Sequence, residues 1–251
     1  MSDRRPRHRL GGGFVWAERL AQLRDLGWRN YQLYGADPVS FSSGNYVSDE
    51  PVFTLTGVGD QVIDFTLTYN SQDSREGVFG VGWSFAYNVA YQQYADGGVL
   101  VRFDDGRSLV FEPGPGGTFL SPPGSSSTLA PAAGGVVELT TNNTERYRFE
   151  VDAVTGYGVL ASTVDRQGNA MTFIWGPPVG DRELRPLQRV IDEAGQAVTL
   201  AATTEGRIAS ITHPDGRVWR FTYTDGQLAS VTDARLVQRS WWPRSTVGVA
   251  R

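Results

Sequence analysis

Apolar side chains recur at odd distances from a series of turn residues along the second half of the chain. Three, five and seven residues after Gly168 stand Met171, Phe173 and Trp175. After Gly195 come Val198, Leu200 and Ala202, and after Gly216 come Trp219, Phe221 and Tyr223. Odd spacing puts each set on one face of a β-strand. The alternate face carries Thr172, Thr199, Arg220 and Thr222, which suits a solvated or lumen-facing side. Two upstream segments fit the same template: Gly106 with Leu109 and Phe111, and Thr144, standing in for glycine, with Tyr147, Phe149 and Val151. The phrase therefore occurs five-fold, and self-similarity of this kind sets an architecture of stacked hairpins.

The turns read Asp165-Arg-Gln-Gly168, Asp192-Glu-Ala-Gly195 and His213-Pro-Asp-Gly216. Asp first, Pro second and Gly fourth suit a type I turn, with the Asp carboxylate accepting from amides further on. The returns between hairpins use Glu205-Gly206 and Asp225-Gly226, which are tight-turn dipeptides. The strands before the turns hold apolar pairs three apart: Leu187 and Val190, Ile208 and Ile211, Leu228 and Val231. A regular strand would split each pair between its faces, so either both faces are covered or a bulge intervenes. The expected fold is mainly β: a repetitive antiparallel β-hairpin meander, with one short N-terminal helix.

That helix is placed at 14–34, where Trp16, Leu20, Leu23 and Leu26 recur at helical spacing and Gly27 could end it. It would either dock on a sheet edge or plug the mouth of a hollow shell. The expected organisation is a basic tail and amphipathic helix over 1–36, an N-terminal β region over 37–150 and hairpin repeats over 151–235. Residues 236–251 form an aberrant or truncated tail. Strands are expected at Gly44–Val47, Pro51–Leu55, Val62–Tyr69, Leu100–Phe111 and Val136–Val151, with a Gly/Pro/Ser-rich loop at 113–127 and an insertion at 176–186. In the tail, Leu236 stands where glycine is expected and Trp241-Trp242-Pro243-Arg244 is foreign to the repeat. An out-of-frame or truncated end there would leave an open edge strand.

Composition adds limits. The 251 residues suit one large or two modest domains, and 30 glycines with 12% aromatics suit a turn-dense β protein. A net charge of −4 is no nucleic-acid footprint, and the 23 basic residues are all Arg, a coding bias first. The absence of Cys removes disulfides, thiolate metal sites and a Cys nucleophile. No apolar run reaches the roughly 20 residues of a membrane span. The basic N-terminus lacks a following apolar core, so no signal peptide is expected.

The segment Asp64-Phe-Thr-Leu-Thr-Tyr-Asn-Ser-Gln-Asp-Ser-Arg-Glu-Gly-Val-Phe-Gly-Val-Gly-Trp-Ser-Phe85 resembles the start of the Rhs/YD-repeat family, as does Asp37-Pro-Val-Ser-Phe-Ser-Ser-Gly-Asn45. Tyr69-Asn-Ser and Phe79-Gly-Val-Gly-Trp83-Ser are the most specific pieces, and the repeats after Gly158 follow the family's Tyr-Asp, Gly-Arg-Leu, Thr-Asp and Asp-Gly pattern. In Tyr223-Thr-Asp225 the usual Tyr-Asp pair is split by Thr. The resemblance covers roughly residues 37–234. It implies a spiral β-sheet closing into a hollow cocoon that encloses a C-terminal effector in a bacterial polymorphic toxin. It also implies a secreted or cell-surface location, with the rest of the shell and the effector as partners. The family's late Asp-Pro-x-Gly-Leu autoproteolytic motif and toxin domain do not occur in these residues.

No chemistry competes with that reading. His8 lies in the tail, and His213 fills a turn slot that Asp occupies elsewhere, so neither supports a catalytic triad. The turn aspartates Asp165, Asp192 and Asp233 have a structural explanation, and Asp96-Gly97-Gly98 and Asp104-Asp105-Gly106 lack EF-hand spacing. No catalytic residue, cofactor or metal is expected. The positions expected to matter are structural: Gly168, Gly195, Gly216, Phe173, Leu200, Phe221, Trp219, Tyr223 and Trp83. The functional expectation is a non-enzymatic shell segment. The alternative is a cell-surface carbohydrate-binding β-repeat module, in which Trp83, Trp175 and Trp219 stack on sugars. The sequon Asn142-Asn-Thr144 is idle in a bacterial protein, and the Arg-rich head is a solvated tail.

Overall fold

A computed structural model describes residues 45–57, 61–104, 107–179 and 184–241. The expected helix over 14–34, the tail before it and Gly106 lie outside these. The described residues form antiparallel strands with one 3-10 turn at Pro115–Gly117. The N-terminal part supplies β1 (Val47–Thr56), β2 (Val62–Asn70), β3 (Glu76–Gly77), β4 (Gly80–Val81) and β5 (Trp83–Phe85). Next come β6 (Ala90–Gln93), β7 (Val99–Arg102), β8 (Ser108–Pro113), β9 (Phe119–Leu120), β10 (Thr128–Pro131), β11 (Val136–Thr140) and β12 (Arg146–Val151). The repeats supply β13 (Tyr157–Val164), β14 (Ala170–Trp175), β15 (Leu187–Ile191) and β16 (Ala197–Ala202). They continue with β17 (Ile208–Thr212), β18 (Val218–Thr224), β19 (Gln227–Thr232) and β20 (Gln238–Ser240). The strand expected at Pro51–Leu55 lies inside β1, where a bulge at Val52 lets the strand absorb Pro51; of the strand expected at Gly44–Val47 only Val47 belongs to β1, and Gly44 lies outside the described residues.

Each repeat turn is a type I turn closed by a residue in the left-handed region, the G1-bulge loop of three-residue hairpins. The amide of the fourth residue donates to the carbonyl of the first: Gly168 to Asp165 (3.2 Å), Gly195 to Asp192 (3.0 Å) and Gly216 to His213 (2.9 Å). Those glycines have φ of 94°, 79° and 88°, which explains the residue type. Thr144 (φ 63°) and Leu236 (φ 65°) occupy the same place without being glycine. The turn from Asp233 therefore forms as the others do, and a short exposed strand, β20, pairs with β19 after it. The two returns differ. Asp225 and Gly226 both have positive φ, the two-residue type I′ turn, whereas Glu205-Gly206 lies in another bulged loop.

The apolar pairs three apart are explained by bulges. Opposite consecutive residues of the partner strand, β13 carries the extra residue Ala161, β15 Gln188, β17 Ala209 and β19 Ala229. Each extra residue resets the side-chain alternation. Leu187, Val190, Ile208, Ile211, Leu228 and Val231 are thus all buried on one face.

The meander forms a fifteen-stranded sheet, β6 to β20, that forks at β13. One edge of β13 pairs with β12 along its length. The other edge is shared: Ser162–Val164 pair with β14, while Tyr157 and Gly158 pair with β6. The sheet is therefore continuous across residue 150. A separate three-stranded sheet, β1-β2-β5, lies on the aromatic face of the repeats.

Candidate functional site

Among the described residues, aromatic and polar contacts concentrate at the seam between the N-terminal strands and the inward face of the repeats. Phe53 of β1 stacks on Trp219 at 4.5 Å and meets His213 edge-on at 5.4 Å. Phe79 meets Phe221 at 5.2 Å, Tyr87 meets Phe173 at 4.9 Å, and Trp83 meets Trp241 at 5.4 Å. Trp241 lies five residues after Leu236, so the repeat register continues to that point. Fully burying one such side chain is worth about 1.5–3 kcal/mol. An exposed ion pair is worth about 0.2–1 kcal/mol. Apolar contact therefore holds the layers together, and polar contacts set their alignment.

Those polar contacts are specific. The Arg207 guanidinium pairs with Glu76 across the seam, and Arg239 pairs with Glu50 at 3.1 Å and donates to the Pro51 carbonyl at 3.0 Å. The Ile208 amide donates to the Val78 carbonyl at 2.8 Å. Gly80 runs so close to the next return that a Cβ there would lie 2.8 Å from the Gly226 carbonyl oxygen.

Hairpins zip at their turns and splay at the other end, where an aromatic ring bridges the gap. The Trp175 Nε1–H donates to the Leu160 carbonyl at 2.6 Å, and the Tyr223 hydroxyl donates to the Ile208 carbonyl at 2.7 Å. Both rings stand seven residues after a turn glycine, and both acceptors stand just before a bulge. The mouth of the first hairpin receives β6, and that of the third receives Val78.

Of the expected structural positions, Gly168, Gly195 and Gly216 sit at the hairpin turns and the six side chains belong to the packed face. Phe173, Leu200, Phe221 and Trp219 are buried, as is Trp83, and Tyr223 packs against the same cluster. Trp219 is 4% exposed with a ring face on Phe53, so protein occupies that face, and the Trp175 N–H is engaged by the Leu160 carbonyl. His213 takes the Asp place in its turn: its Nδ1 lies 3.2 Å from the Asp215 amide and 2.8 Å from the Asp215 carboxylate. The sequence signalled neither Phe53, Val78 nor the Glu76–Arg207 pair. Their partners lie more than a hundred residues away, and no local spacing encodes that distance.

Electrostatics point to structure. Turn carboxylates are held below their ordinary range by hydrogen bonds: Asp165 by the Asn169 side chain, Asp233 by the Val237 amide, Asp215 by the Arg217 amide. Burial pushes the Tyr91 and Tyr147 hydroxyls up to about 12, and those of Tyr87 and Tyr223 further. Among the described residues no three His, Asp or Glu side chains gather as a metal site, and no helix is long and apolar enough to cross a membrane.

Residues 36–111 match a family described as a domain of unknown function, DUF6531, and residues 204–235 match the RHS repeat. The second match falls on the hairpins that carry the resemblance, and the chain contains a repeat of the Rhs type. No curated protein matches the sequence. Among solved structures the chain is similar to the crystal structure of TcdB2-TccC3-Cdc42, at 14% identity and TM-score 0.44, over 79% of this chain and 14% of that one. It is similar to the Tc holotoxin pore of Photorhabdus luminescens carrying a TccC3 substitution, at 14% identity and TM-score 0.42, over 76% of this chain and 14% of that one. A third is the N-terminal domain of the effector protein SpvB from Salmonella typhimurium strain LT2, at 15% identity and TM-score 0.40, over 73% and 92%. The chain thus spans about one seventh of the first two.

Proposed function

We propose that the chain is a section of the wall of an Rhs-type toxin shell, a β cocoon that encloses a C-terminal effector and acts outside the cell that makes it. One observation carries the reading. Successive hairpins repeat the same bulged turn, the same bulge and the same inward apolar face, and no strand pairs with the far edge of β20 among the described residues. Such a unit can be extended strand by strand without new rules, which is what building a large curved wall requires. The RHS-repeat match over residues 204–235 supports the same reading. In it the chain contributes no catalytic group. The N-terminal strands cover the aromatic face of the repeat hairpins.

The test is to express this chain together with the coding sequence that follows it and to image the product. The expected result is a hollow particle with polypeptide inside, whose enclosed segment survives a protease dose that destroys it once the wall is unfolded. A particle with no cavity, or a downstream sequence with neither repeats nor a further domain, overturns the reading.

A further inference from the structure

At the fork of the large sheet, the edge of β13 is left by β14 and met by β6, and a cavity of about 350 Å³ remains between them. That is within the range of small-molecule pockets, about 300–1,000 Å³. Its walls come from four remote parts of the chain. Arg102 belongs to the β6–β7 prong, Leu160 to β13, Trp175 and Arg185 to the β14–β15 prong, and Phe85 to the small sheet.

Its charged side chains fall into two groups. Asp73 and Arg75 neutralise one another through a bidentate pair, with Nε to Oδ1 at 2.6 Å. Glu76 is held by Arg207. No salt bridge joins Arg102 or Arg185 to another described residue, and Arg185 acts on the Asp152 carboxylate only as a weak longer-range charge. Two arginines thus line one cavity from opposing prongs, together with aromatic and aliphatic side chains.

We propose that this cavity binds a small carboxylate with an aromatic or branched aliphatic body, the carboxylate held between Arg102 and Arg185 and the body against Trp175 and Phe85. The planar guanidinium fork matches a carboxylate geometrically. A bare inorganic anion would satisfy the arginines and leave the apolar side chains uncovered. The Trp175 ring is fixed beforehand by its bond to the Leu160 carbonyl, which lowers the ordering cost of binding. The carboxylate can belong to a free metabolite-sized acid or to the end of a peptide, and the inference does not depend on the shell reading.

The experiment titrates the full chain and follows tryptophan emission, since Trp83 and Trp175 both line the cavity. The probes are phenylacetate, its neutral isostere phenylacetamide, inorganic phosphate, and acetyl-Gly-Phe with a free C-terminus. Saturable binding of at least one carboxylate is expected, and the tighter of the two identifies the source. Phenylacetamide and phosphate are expected to bind at least roughly tenfold more weakly, and R102Q and R185Q each to weaken the acid by roughly tenfold. Equal binding of acid and amide, equal binding of acid and phosphate, or no saturation by either carboxylate overturns the proposal. So does undiminished binding in an R102Q/R185Q variant whose circular dichroism matches the parent. The isostere comparison uses the unmodified protein and stands even if a variant fails to fold.

Discussion

Leu236 holds its backbone at φ 65° with a side chain that is 76% exposed. Gly168, Gly195 and Gly216 hold the same place in their turns, and a left-handed residue with a Cβ costs about 1–2 kcal/mol. Leucine gains no burial in exchange, so Leu236→Gly is expected to stabilise the chain. The gain is about 0.5–1 kcal/mol after the extra chain entropy of glycine, read as a higher urea midpoint with unchanged slope. The reverse change, Gly216→Ala at φ 88°, is expected to lower the midpoint by a similar amount. The turn carboxylates make a prediction about pH. Their folded pKa values lie below the unfolded value near 3.9, so their contribution is complete above it and disappears as the pH falls through the folded values. The melting temperature should be level above about pH 5 and fall below about pH 4. Asp165→Asn should make that fall shallower, and an unchanged slope would show that acid acts elsewhere.

Hairpins are the next scale, and each depends on what happens where its ladder ends. The Tyr223 hydroxyl satisfies the Ile208 carbonyl inside the seam. Tyr223→Phe keeps the ring and removes the bond, and the unpaired carbonyl should cost about 1–3 kcal/mol in urea unfolding. Much of this scale was legible in the sequence, because a hairpin is a local object. The described turns and the strands of the repeats stand where the spacing placed them, and so do the inward sets except Ala202, which is exposed at the end of β16. The apolar pairs three apart admitted two explanations, and the extra residues Ala161, Gln188, Ala209 and Ala229 decide for bulges. The fork was not legible. It rests on a two-residue pairing of Tyr157 and Gly158 with β6, made possible because Gly158 has no Cβ to strike the Tyr91 ring at 2.9 Å. Nor was the covering of the aromatic face. Burial of a face reads the same in sequence whether the cover is a ligand, a neighbouring sheet or a lumen wall.

Across the whole molecule, the N-terminal strands and the repeats are coupled through one face, which the Glu76–Arg207 pair crosses. Glu76→Gln leaves a partly buried guanidinium without its counter-charge. The expected loss is about 1–2 kcal/mol, between the values for exposed and fully buried pairs. Faster tryptic cleavage at Arg75 than in the parent would report loosening at the seam; an unchanged cleavage rate would place the coupling in the aromatic contacts alone. The row of bulges has a consequence for shape. A bulge bends its strand and increases the local twist, and here it recurs in every other strand, in the same place within the unit. The sheet is therefore pleated along a line that crosses its strands, as cloth is gathered by a row of darts. Curvature then accrues by a fixed amount with each unit added, and the girth of anything built this way is a matter of counting units rather than of lengthening strands. Deleting Ala209 removes one dart: small-angle scattering of that variant should report a flatter particle, provided it folds.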